Sequence, residues 1–560
     1  MTVSSNLSKI ISFVTSKGFQ IHPDALFLIE KIQDDYFQII EDILSGKRKR
    51  KEESMVIITD DIKKFVKDPS FTISTENNNK SKLIVSEAEA KAEAEHDQYY
   101  EDKELLKEDS SVYSADKDRL YKHREKTESF KIVYDSNDKI NSGEGVEGYA
   151  SLFRSRYEKS LKILSLRQDS KKVKKIETIK QLFNQSKINY NSMSKELSNN
   201  SLFVAGLIMN KDIKNNNYDI TIDDQTGLLT ATTYNDELKK QISMLTVDQM
   251  VMIEFENNLQ RKKNTIKNLF SLDIPDRIPN KSKSEIFSIL ISDLHIGSKF
   301  FMEKEFQNFL DWLNGKREGE EGQAWEEDNN DDIISKIKYI CICGDLIDGI
   351  GIFPNQDKEL LEKDSFSQMD HAISILSKIP KHMKVFLIPG NHDLGRRALP
   401  QPAIPKKYAE KLYSLDNVTM LGNPCMIDME GIKILMFHGQ SLDDIIASIP
   451  GLSYSKPAEA MKLLLKSRHL SPIYGQRTPI APEKEDMMII EEVPDVLHSG
   501  HVHVIDVDSY KGTLLVNSGA WQSQTPFQQT MGITPTPGIA IAINLSNLKP
   551  YKIDFNNYDA

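Results

Sequence analysis

The chain has 560 residues, of which 28% are charged, and a formal net charge of −11. A single hydrophobic core does not grow to this length, so the sequence predicts two or three domains joined by linkers. The negative charge argues against wholesale adhesion to nucleic acid or to an anionic membrane, although it leaves room for a local basic groove. No apolar run approaches the length of a membrane span and the N-terminus lacks a signal pattern, so a cytoplasmic protein is expected.

Residues 1–45 are predicted to form a small helical domain. Apolar residues recur at helical spacing from Leu7 to Leu44, with Gly18 at a helix stop and Pro23 at a second helix start. Three short helices bury little surface, so docking on a partner and simple tethering remain two alternatives for this unit.

Residues 46–142 are expected to be a charged flexible linker. They contain KRKRKEE from Lys47 and SEAEAKAEAEHD from Ser86, and neither stretch has a sustained apolar period. For the basic cluster, a solvated charge run is favoured over contact with DNA phosphates.

Residues 143–275 are predicted to form a helix followed by a β-barrel. A helical pattern runs from Phe153 to Phe183. Four strand signals and one helix follow, at Leu202–Met209, Asp219–Ile222, Leu228–Thr232, Asp236–Met244 (the helix) and Met250–Phe255. Short strands with one interposed helix suit a five-stranded barrel of the OB type. Aromatic residues are few and are not interleaved with basic ones, which favours a structural or docking barrel over a platform for single-stranded nucleic acid.

Residues 283–560 alternate strand-like and helical segments, which predicts a layered α/β domain. Five polar motifs, nearly all directly after an apolar strand-like run, stand out in this part: ISDLHIG, CGDLIDG, GNHD, FHG and SGHVH. They supply Asp293, His295, Asp345, Asp348, Asn391, His392, Asp393, His438, His501 and His503. Polar side chains at successive strand ends converge on one edge of a sheet, so a shared site is expected. The strongly acidic stretch Gly315–Asp332 is predicted to be a surface loop.

The mixture of carboxylate, imidazole and amide groups suits a pair of divalent cations. Two cations roughly 3.5–4 Å apart orient a phosphate and lower the pKa of a bridging water. The first carboxylate after its strand, Asp345, is the natural bridge between them. Imidazole combined with carboxylate favours manganese, with iron or zinc as alternatives, over magnesium.

In this order, the five motifs resemble those of the calcineurin-like metallophosphoesterases. Further segments resemble the small subunit of archaeal family D DNA polymerases: Arg396 and PQP after GNHD, FHGQSLDDIIASIPG from Phe437, NSGAWQSQTPFQ from Asn517 and EGYASLFRSRYEKSLKIL before the barrel. The resemblance covers roughly residues 1–44 and 147–560. It implies a C-terminal layered β-sandwich flanked by helices.

The resemblance further implies a 3′-to-5′ proofreading exonuclease that is also the assembly subunit of a two-subunit archaeal replicative DNA polymerase. Its partners would be a large catalytic subunit, the single-stranded 3′ end of DNA and a sliding clamp, without a membrane. One metal ion would be held by Asp293, His295, Asp345 and His503. The other would be held by Asp345, Asn391, His438 and His501. His392 would protonate the leaving oxygen, with Asp393 as its orienting partner.

Several alternatives stay open. Arg396 and Arg397 suit a phosphate clamp, or else a surface salt bridge. Asp348 suits either a supporting contact to a ligand or a turn cap. The chain as a whole is an active nuclease subunit, a mainly structural polymerase subunit with weak phosphoesterase activity, or a free-standing metallophosphodiesterase. The complete set of ligands favours the first, and the additional helical and barrel regions argue against the last.

Overall fold

The structure, a computed structural model, describes residues 20–21, 40, 43, 56–57, 129–188, 201–214, 217–258, 263–315, 330–353 and 355–556. The chain divides into two compact units, residues 1–115 and residues 116–560. In the first unit, strands β1 (Gln20–Ile21) and β2 (Val56–Ile57) pair in parallel. The predicted helices of residues 1–45, apart from two buried isoleucines, and most of the predicted linker lie outside the described residues.

Strand β3 (Phe130–Asp135) lies inside the segment that the sequence predicts as linker. It pairs antiparallel with residues 425–429, and Asp135 is the partner of Cys425, 290 positions further along the chain. Phe130 packs edge-on against Phe386, with ring centroids 5.0 Å apart. The prediction of a linker up to residue 142 is therefore wrong for this strand. The sequence around this six-residue strand is charged, and nothing in it indicates a pairing partner 290 positions away.

Two helices precede the barrel, α1 (Gly145–Leu164) and α2 (Ile176–Ile188), where the sequence predicts one continuous helical pattern. The barrel consists of β4 (Leu202–Lys214), β5 (Asn217–Asp223), β6 (Leu228–Thr233), α3 (Asp236–Ser243), β7 (Met250–Asn258) and β8 (Lys263–Ser271). Its strands close in the order β4-β5-β6-β8-β7. The sequence signals had located four of these strands. They missed β8, which is mostly polar and has only one buried residue, Ile266.

The remainder of the chain forms two packed sheets with helices outside them. The strands are β9 (Phe287–Ile291), β10 (Ile337–Cys343), β11 (Lys384–Ile388), β12 (Val418–Met420), β13 (Cys425–Met429), β14 (Ile432–Met436), β15 (Val496–Ser499), β16 (Ile505–Tyr510), β17 (Thr513–Ser518), β18 (Ile539–Asn544) and β19 (Lys549–Asp554). The helices are α4 (Glu303–Leu313), α5 (Asn330–Lys336), α6 (Ser365–Leu376), α7 (Glu410–Tyr413), α8 (Leu442–Ser448), α9 (Pro457–Ser467) and α10 (Pro526–Thr530). The layered α/β prediction is confirmed for this region. Residues 316–329, within the predicted acidic loop, lie outside the described residues.

The first sheet has the order β12-β11-β10-β9-β18-β19 and the second has the order β16-β17-β15-β14-β13-β3. Buried apolar residues from both sheets, such as Leu290 and Phe386 from the first and Ile427 and Ile434 from the second, form one core between them. β9, β10 and β11 run parallel, as do β14 and β15. The five polar motifs therefore leave the carboxyl ends of five strands within the sandwich.

Helix α1 fastens the barrel to the sandwich through a buried ion pair. Arg156 Nε lies 2.7 Å from Asp486 Oδ2, and both side chains are 1% exposed. Arg156 Nη1 donates to the carbonyl oxygens of Asp248, which follows the barrel helix, and of Pro472, in the sandwich. A buried pair of this kind is costly to break on one side, so it holds the two parts in a fixed contact. Among the described residues, no helix is long and apolar enough to cross a membrane.

Candidate metal centre

The structure brings together all seven side chains that the sequence predicts as metal ligands. In one group, His503 Nε2 lies 3.0 Å from His295 Nε2 and 3.4 Å from Asp293 Oδ1. In the other group, His438 lies beside Asp345 and His501, and the ligand atoms of the three fall within 4.8 Å of one another. Each group therefore presents nitrogen and oxygen donors at the spacing of a divalent cation's shell.

Asp345 lies between the two groups, as expected for a bridge. Its Oδ2 is 3.2 Å from His438 Nε2 and 3.8 Å from His295 Nε2. Its Oδ1 accepts the backbone N–H of His392 at 2.8 Å, which fixes the carboxylate in that position. Asn391 joins the second group, with Oδ1 3.1 Å from His438 Nε2.

The backbone of this edge is strained at the candidate ligands themselves. Five of the seven are non-glycine residues with positive φ: Asp293 (54°), His295 (52°), Asp345 (51°), His501 (67°) and His503 (63°). The left-handed conformation costs such residues on the order of 1–3 kcal/mol each, and it persists only where the surroundings enforce it. The five residues lie two or four positions after the last residues of β9, β10 and β15. Concentrated strain of this kind is typical of a functional site.

Two glycines let the loops approach the carboxylates closely. A Cβ at Gly390 would lie 2.1 Å from Asp345 Oδ1, and a Cβ at Gly500 would lie 2.2 Å from Asp293 Oδ2. No side chain fits at either position without moving a carboxylate. The glycines of GNHD and SGHVH therefore serve the positions of Asp345 and Asp293.

Each histidine among the candidate ligands has its second ring nitrogen beside a polar atom. The pairs are His295 Nδ1 with Asp348 Oδ1 at 2.9 Å, His438 Nδ1 with the carbonyl oxygen of Cys343 at 2.8 Å, His501 Nε2 with Asp443 Oδ2 at 3.2 Å and His503 Nδ1 with Gln528 Nε2 at 2.7 Å. At His295, His438 and His501 the oxygen partner fixes the orientation of the imidazole and leaves its other nitrogen for a cation. At His503 the amide nitrogen of Gln528 instead donates to Nδ1. Asp348 thus contacts a candidate ligand, as in the first of its two predicted alternatives, and it also accepts hydrogen bonds from Gln356 and Gln522.

The buried carboxylates of the site favour the binding of a cation. Burial would raise the pKa of Asp345, but His438 and His392 hold that pKa well below its ordinary value. Burial would lower the pKa of His438, and the Asp345 carboxylate outweighs burial and raises that pKa to about 10. Buried carboxylates here draw protons onto imidazole, and a divalent cation supplies the same compensating charge. The donor set therefore fits the expected metal pair.

His392 projects beside these groups, and its ring is held by the backbone of Asp348 rather than by the expected partner, Asp393. Nδ1 lies 2.7 Å from the carbonyl oxygen of Asp348, to which it donates, so Nε2 faces the site. Desolvation lowers the pKa of His392 to about 4, against the opposing effect of Asp345. The ring also lies within ligand distance of His295 and Asp345, so geometry alone admits it as a ligand as well.

Asp393 contacts backbone instead of the ring that it was expected to orient. Its carboxylate accepts the N–H groups of Leu346, Ile347 and Gly390, at 2.9–3.2 Å. These bonds tie the GNHD turn to the loop after β10. The expected orienting role is therefore taken by the backbone of Asp348, and Asp393 maintains the turn that carries His392. Burial raises the pKa of Asp393 to about 7.

Arg396 is engaged within the protein rather than directed at the site. Nη1 lies 2.6 Å from Glu483 Oε1 and donates to Ser142 Oγ, and Nη2 donates to the carbonyl oxygen of Pro400. The salt-bridge alternative is therefore the observed one for this residue. Arg397 is exposed. His498, buried, lies 3.0 Å from Ser518 Oγ and takes no part in either ligand group.

Sequence reasoning missed residues that hold the ligands from outside the motifs. Asp443, Gln522 and Gln528 each lie in segments quoted for the family resemblance, yet none was assigned a role. Burial would raise the pKa of Asp443, and His501 holds that pKa below its ordinary value. The sequence did contain one sign of the role of Asp443, namely its position five residues after His438, at the start of α8.

Comparison with known proteins places the chain. A family model for the B subunits of DNA polymerases alpha and epsilon matches residues 289–503. The DNA polymerase II small subunit of Pyrococcus furiosus is 36% identical over 447 residues, which cover 77% of this chain and 69% of that protein. The protein of the same description from Archaeoglobus fulgidus is 36% identical over 73% of this chain and 78% of its own length. The chain belongs to the family of archaeal DNA polymerase II small subunits. The resemblance predicted from the motifs is confirmed.

Among solved structures, an archaeal phosphodiesterase is 12% identical, with 48% of this chain and 99% of that chain covered and a TM-score of 0.24. A Vps29 from Entamoeba histolytica, complexed with zinc, is 15% identical with a TM-score of 0.23.

Proposed function

We propose that the chain is a 3′-to-5′ proofreading exonuclease and the assembly subunit of a two-subunit archaeal replicative DNA polymerase. The observation that carries this proposal is the convergence of seven candidate ligand side chains, Asp345 among them, at one edge of the sandwich, five of them in left-handed backbone. A merely structural subunit has no use for strained, buried charges at one edge of a sheet. The family supplies the polymerase context, and the site supplies the chemistry.

In this proposal, the residues assigned to the two ions are those of the sequence prediction, with manganese as the preferred metal. Two divalent cations, when bound, hold the phosphate and lower the pKa of a water placed for in-line attack. Asp345 Oδ1 accepts the backbone N–H of His392, and its other oxygen, Oδ2, lies near both groups. Asp348, Asp443 and Gln528 keep the imidazoles in place.

His392 is proposed as the general acid. Cleavage of the terminal phosphodiester leaves a 3′ oxygen on the shortened strand, and that oxygen must gain a proton. Nδ1 of His392 is committed to the carbonyl oxygen of Asp348, so Nε2 is the atom that moves the proton. The negative charge of a bound phosphate favours the protonated ring.

The assembly role is proposed for the barrel and the sandwich together. The barrel order β4-β5-β6-β8-β7, with α3 before the fourth strand, supports the OB type. Between α1, the barrel and the sandwich lies a groove of about 570 Å³, lined by Phe153, Tyr157, Leu207, Met209 and Tyr474 among others. Met209 is 52% exposed and Tyr474 is 38% exposed. Exposed apolar and aromatic side chains are typical of interface cores, so we propose this groove as part of the contact with the large subunit.

The nuclease proposal is tested with single-stranded DNA labelled at the 3′ or the 5′ end, in manganese, with wild type and Asp345→Ala. Wild type is expected to release mononucleotide from the 3′-labelled strand and to leave a ladder of shortened 5′-labelled strands. Release from the 5′ end first, or equal digestion by Asp345→Ala, would overturn the proposal.

The assembly proposal is tested by co-purification with the large subunit after two N-terminal truncations. Removing residues 1–128 leaves β3 in place and is expected to leave the complex intact. Removing residues 1–140 also deletes β3, exposes the edge of β13 and is expected to give aggregated protein. Loss of the complex from the shorter truncation would assign the contact to the N-terminal unit instead.

A further inference from the structure

Two phenylalanines stand at the mouth of the metal centre with no role in the chemistry described above. The rings of Phe353 and Phe527 stack, with centroids 5.5 Å apart and an interplanar angle of 23°. Phe353 follows the loop of Asp348, and Phe527 is the second residue of α10. Phe527 is 49% exposed, although the helix around it is firmly held.

The pair is joined to the site at both ends. The ring of Phe353 lies 6.5 Å from the ring of His392, centroid to centroid. Gln528, the residue after Phe527, is buried and lies 2.7 Å from His503 Nδ1. Thr525 and Gln528 form a reciprocal cap at the start of α10. The exposed face of Phe527 is therefore fixed relative to both the proton donor and one ligand group.

We propose that Phe527, backed by Phe353, stacks on the base of the 3′-terminal nucleotide and thereby positions its phosphate for hydrolysis; this rests on the proposed nuclease function. A proofreading site must accept all four bases, and an aromatic face does so because every base has a π-face. A rigid ring also loses little conformational entropy on binding. Arg396, one of the two arginines that the sequence suggested for substrate contact, is committed to Glu483 and does not compete for this role.

The first measurement is binding without metal ions, so that it does not depend on hydrolysis. Single-stranded DNA with 2-aminopurine at the 3′ terminus is titrated with wild type, Phe527→Ala and Phe527→Trp. Stacking is expected to quench the fluorescence in wild type and in Phe527→Trp, and to be absent in Phe527→Ala. Phe366→Ala is the matched control: Phe366 is 55% exposed on α6 and packs against Tyr408, at 5.9 Å.

The second measurement is the rate of removal of one terminal nucleotide, with a base or with an abasic sugar at the 3′ end. For the strand that carries the base, Phe527→Ala is expected to lower kcat/KM by roughly 5- to 150-fold, the effect of one lost base–aromatic stack. For the abasic strand, wild type and Phe527→Ala are expected to be equal. Phe527→Trp should restore the difference between the two strands.

The outcomes separate the two proposals. Equal loss on both strands would show that Phe527 acts through the fold and would overturn the stacking role, as would no loss on either strand. Wild type that quenches the terminal base but digests neither strand would overturn the nuclease proposal and leave the stacking role supported. Quenching that persists in Phe527→Ala would overturn the stacking role whatever the activity.

Discussion

Left-handed backbone occurs at different kinds of residue in the barrel and at the edge of the sandwich that carries the candidate metal centre. In the barrel region, the left-handed residues Gln225 and Asp248 lie in connections and are exposed or half-buried, while the interior is apolar. At the sandwich edge, left-handed residues are themselves the buried or half-buried acids and imidazoles of the site. Local rules are followed where a region only has to be stable, and they are broken where charged groups must meet.

The largest effect is expected for Asp345→Ala, since this carboxylate faces both ligand groups. The variant should lose both metal ions, and its digestion of DNA should fall to background. The matched barrel variant is Asp219→Ala, whose carboxylate accepts a hydrogen bond from Thr232 Oγ1. It should keep both ions and full activity. Metal analysis checks both; two ions per chain in Asp345→Ala would contradict the assignment.

His392→Ala is expected to keep both ions and the complex with the large subunit, but to digest the 3′ end roughly 10²- to 10⁴-fold more slowly. That range is the usual contribution of a general acid. His371→Ala, a substitution of a half-buried surface histidine on α6, is the control and should digest normally. If His392→Ala digested normally while His438→Ala lost activity with both ions bound, the roles of the two histidines would have to be exchanged.

Asp348→Asn is expected to weaken metal binding roughly 10- to 100-fold, because the acid that orients His295 Nδ1 becomes a neutral amide. The comparison in the barrel is Asp224→Asn, a buried acid that accepts N–H groups of Ile176 and Thr226. This control should lower the thermal stability without changing the metal affinity. Titration of each metal-free variant with manganese measures the difference. Unchanged affinity in Asp348→Asn would reduce Asp348 to a turn residue.

A smaller effect is expected on the pH dependence of stability, through His469. This histidine contacts Asp486, the ion-pair partner of Arg156 in α1. His469 Nδ1 accepts the N–H of Ser471 and Nε2 lies 3.0 Å from Asp486, so the ring is neutral in the folded protein. Burial lowers the pKa of His469 from 6.5 to about 4. Between those values the unfolded chain binds a proton that the folded chain does not, so stability falls as the pH falls from about 6.5 to 4.

His469→Gln removes this titration and keeps a donor and an acceptor. The midpoint of denaturation should therefore decline less in the variant than in wild type between pH 7.5 and pH 5. Equal declines would show that His469 does not contribute to the pH dependence.

The sequence predicted that the candidate ligands share one site, because each follows a strand within a short motif and the end of a strand determines position over a few residues. Their assignment to two ions came from the family resemblance. It also predicted four barrel strands from their apolar patterns. It could not predict the contacts made across the fold. Arg396 was considered for a phosphate clamp because it follows GNHD, whereas its ion-pair partner Glu483 is 87 positions away. Asp393 was assigned to His392 because the two are adjacent. Adjacent side chains leave a turn in different directions, and only the fold determines which one meets the site.

Strand β3 has a consequence for the synthesis of the chain. Its partner β13 leaves the ribosome about 290 residues later, since Asp135 pairs with Cys425. At roughly 5–20 residues per second, this interval lasts on the order of 15–60 s. Throughout that time the whole barrel can be completed while the outer strand of the second sheet has nothing to pair with. β3 therefore completes the edge of a sheet whose other strands are synthesised long after it, and it cannot join that sheet before β13 has been made.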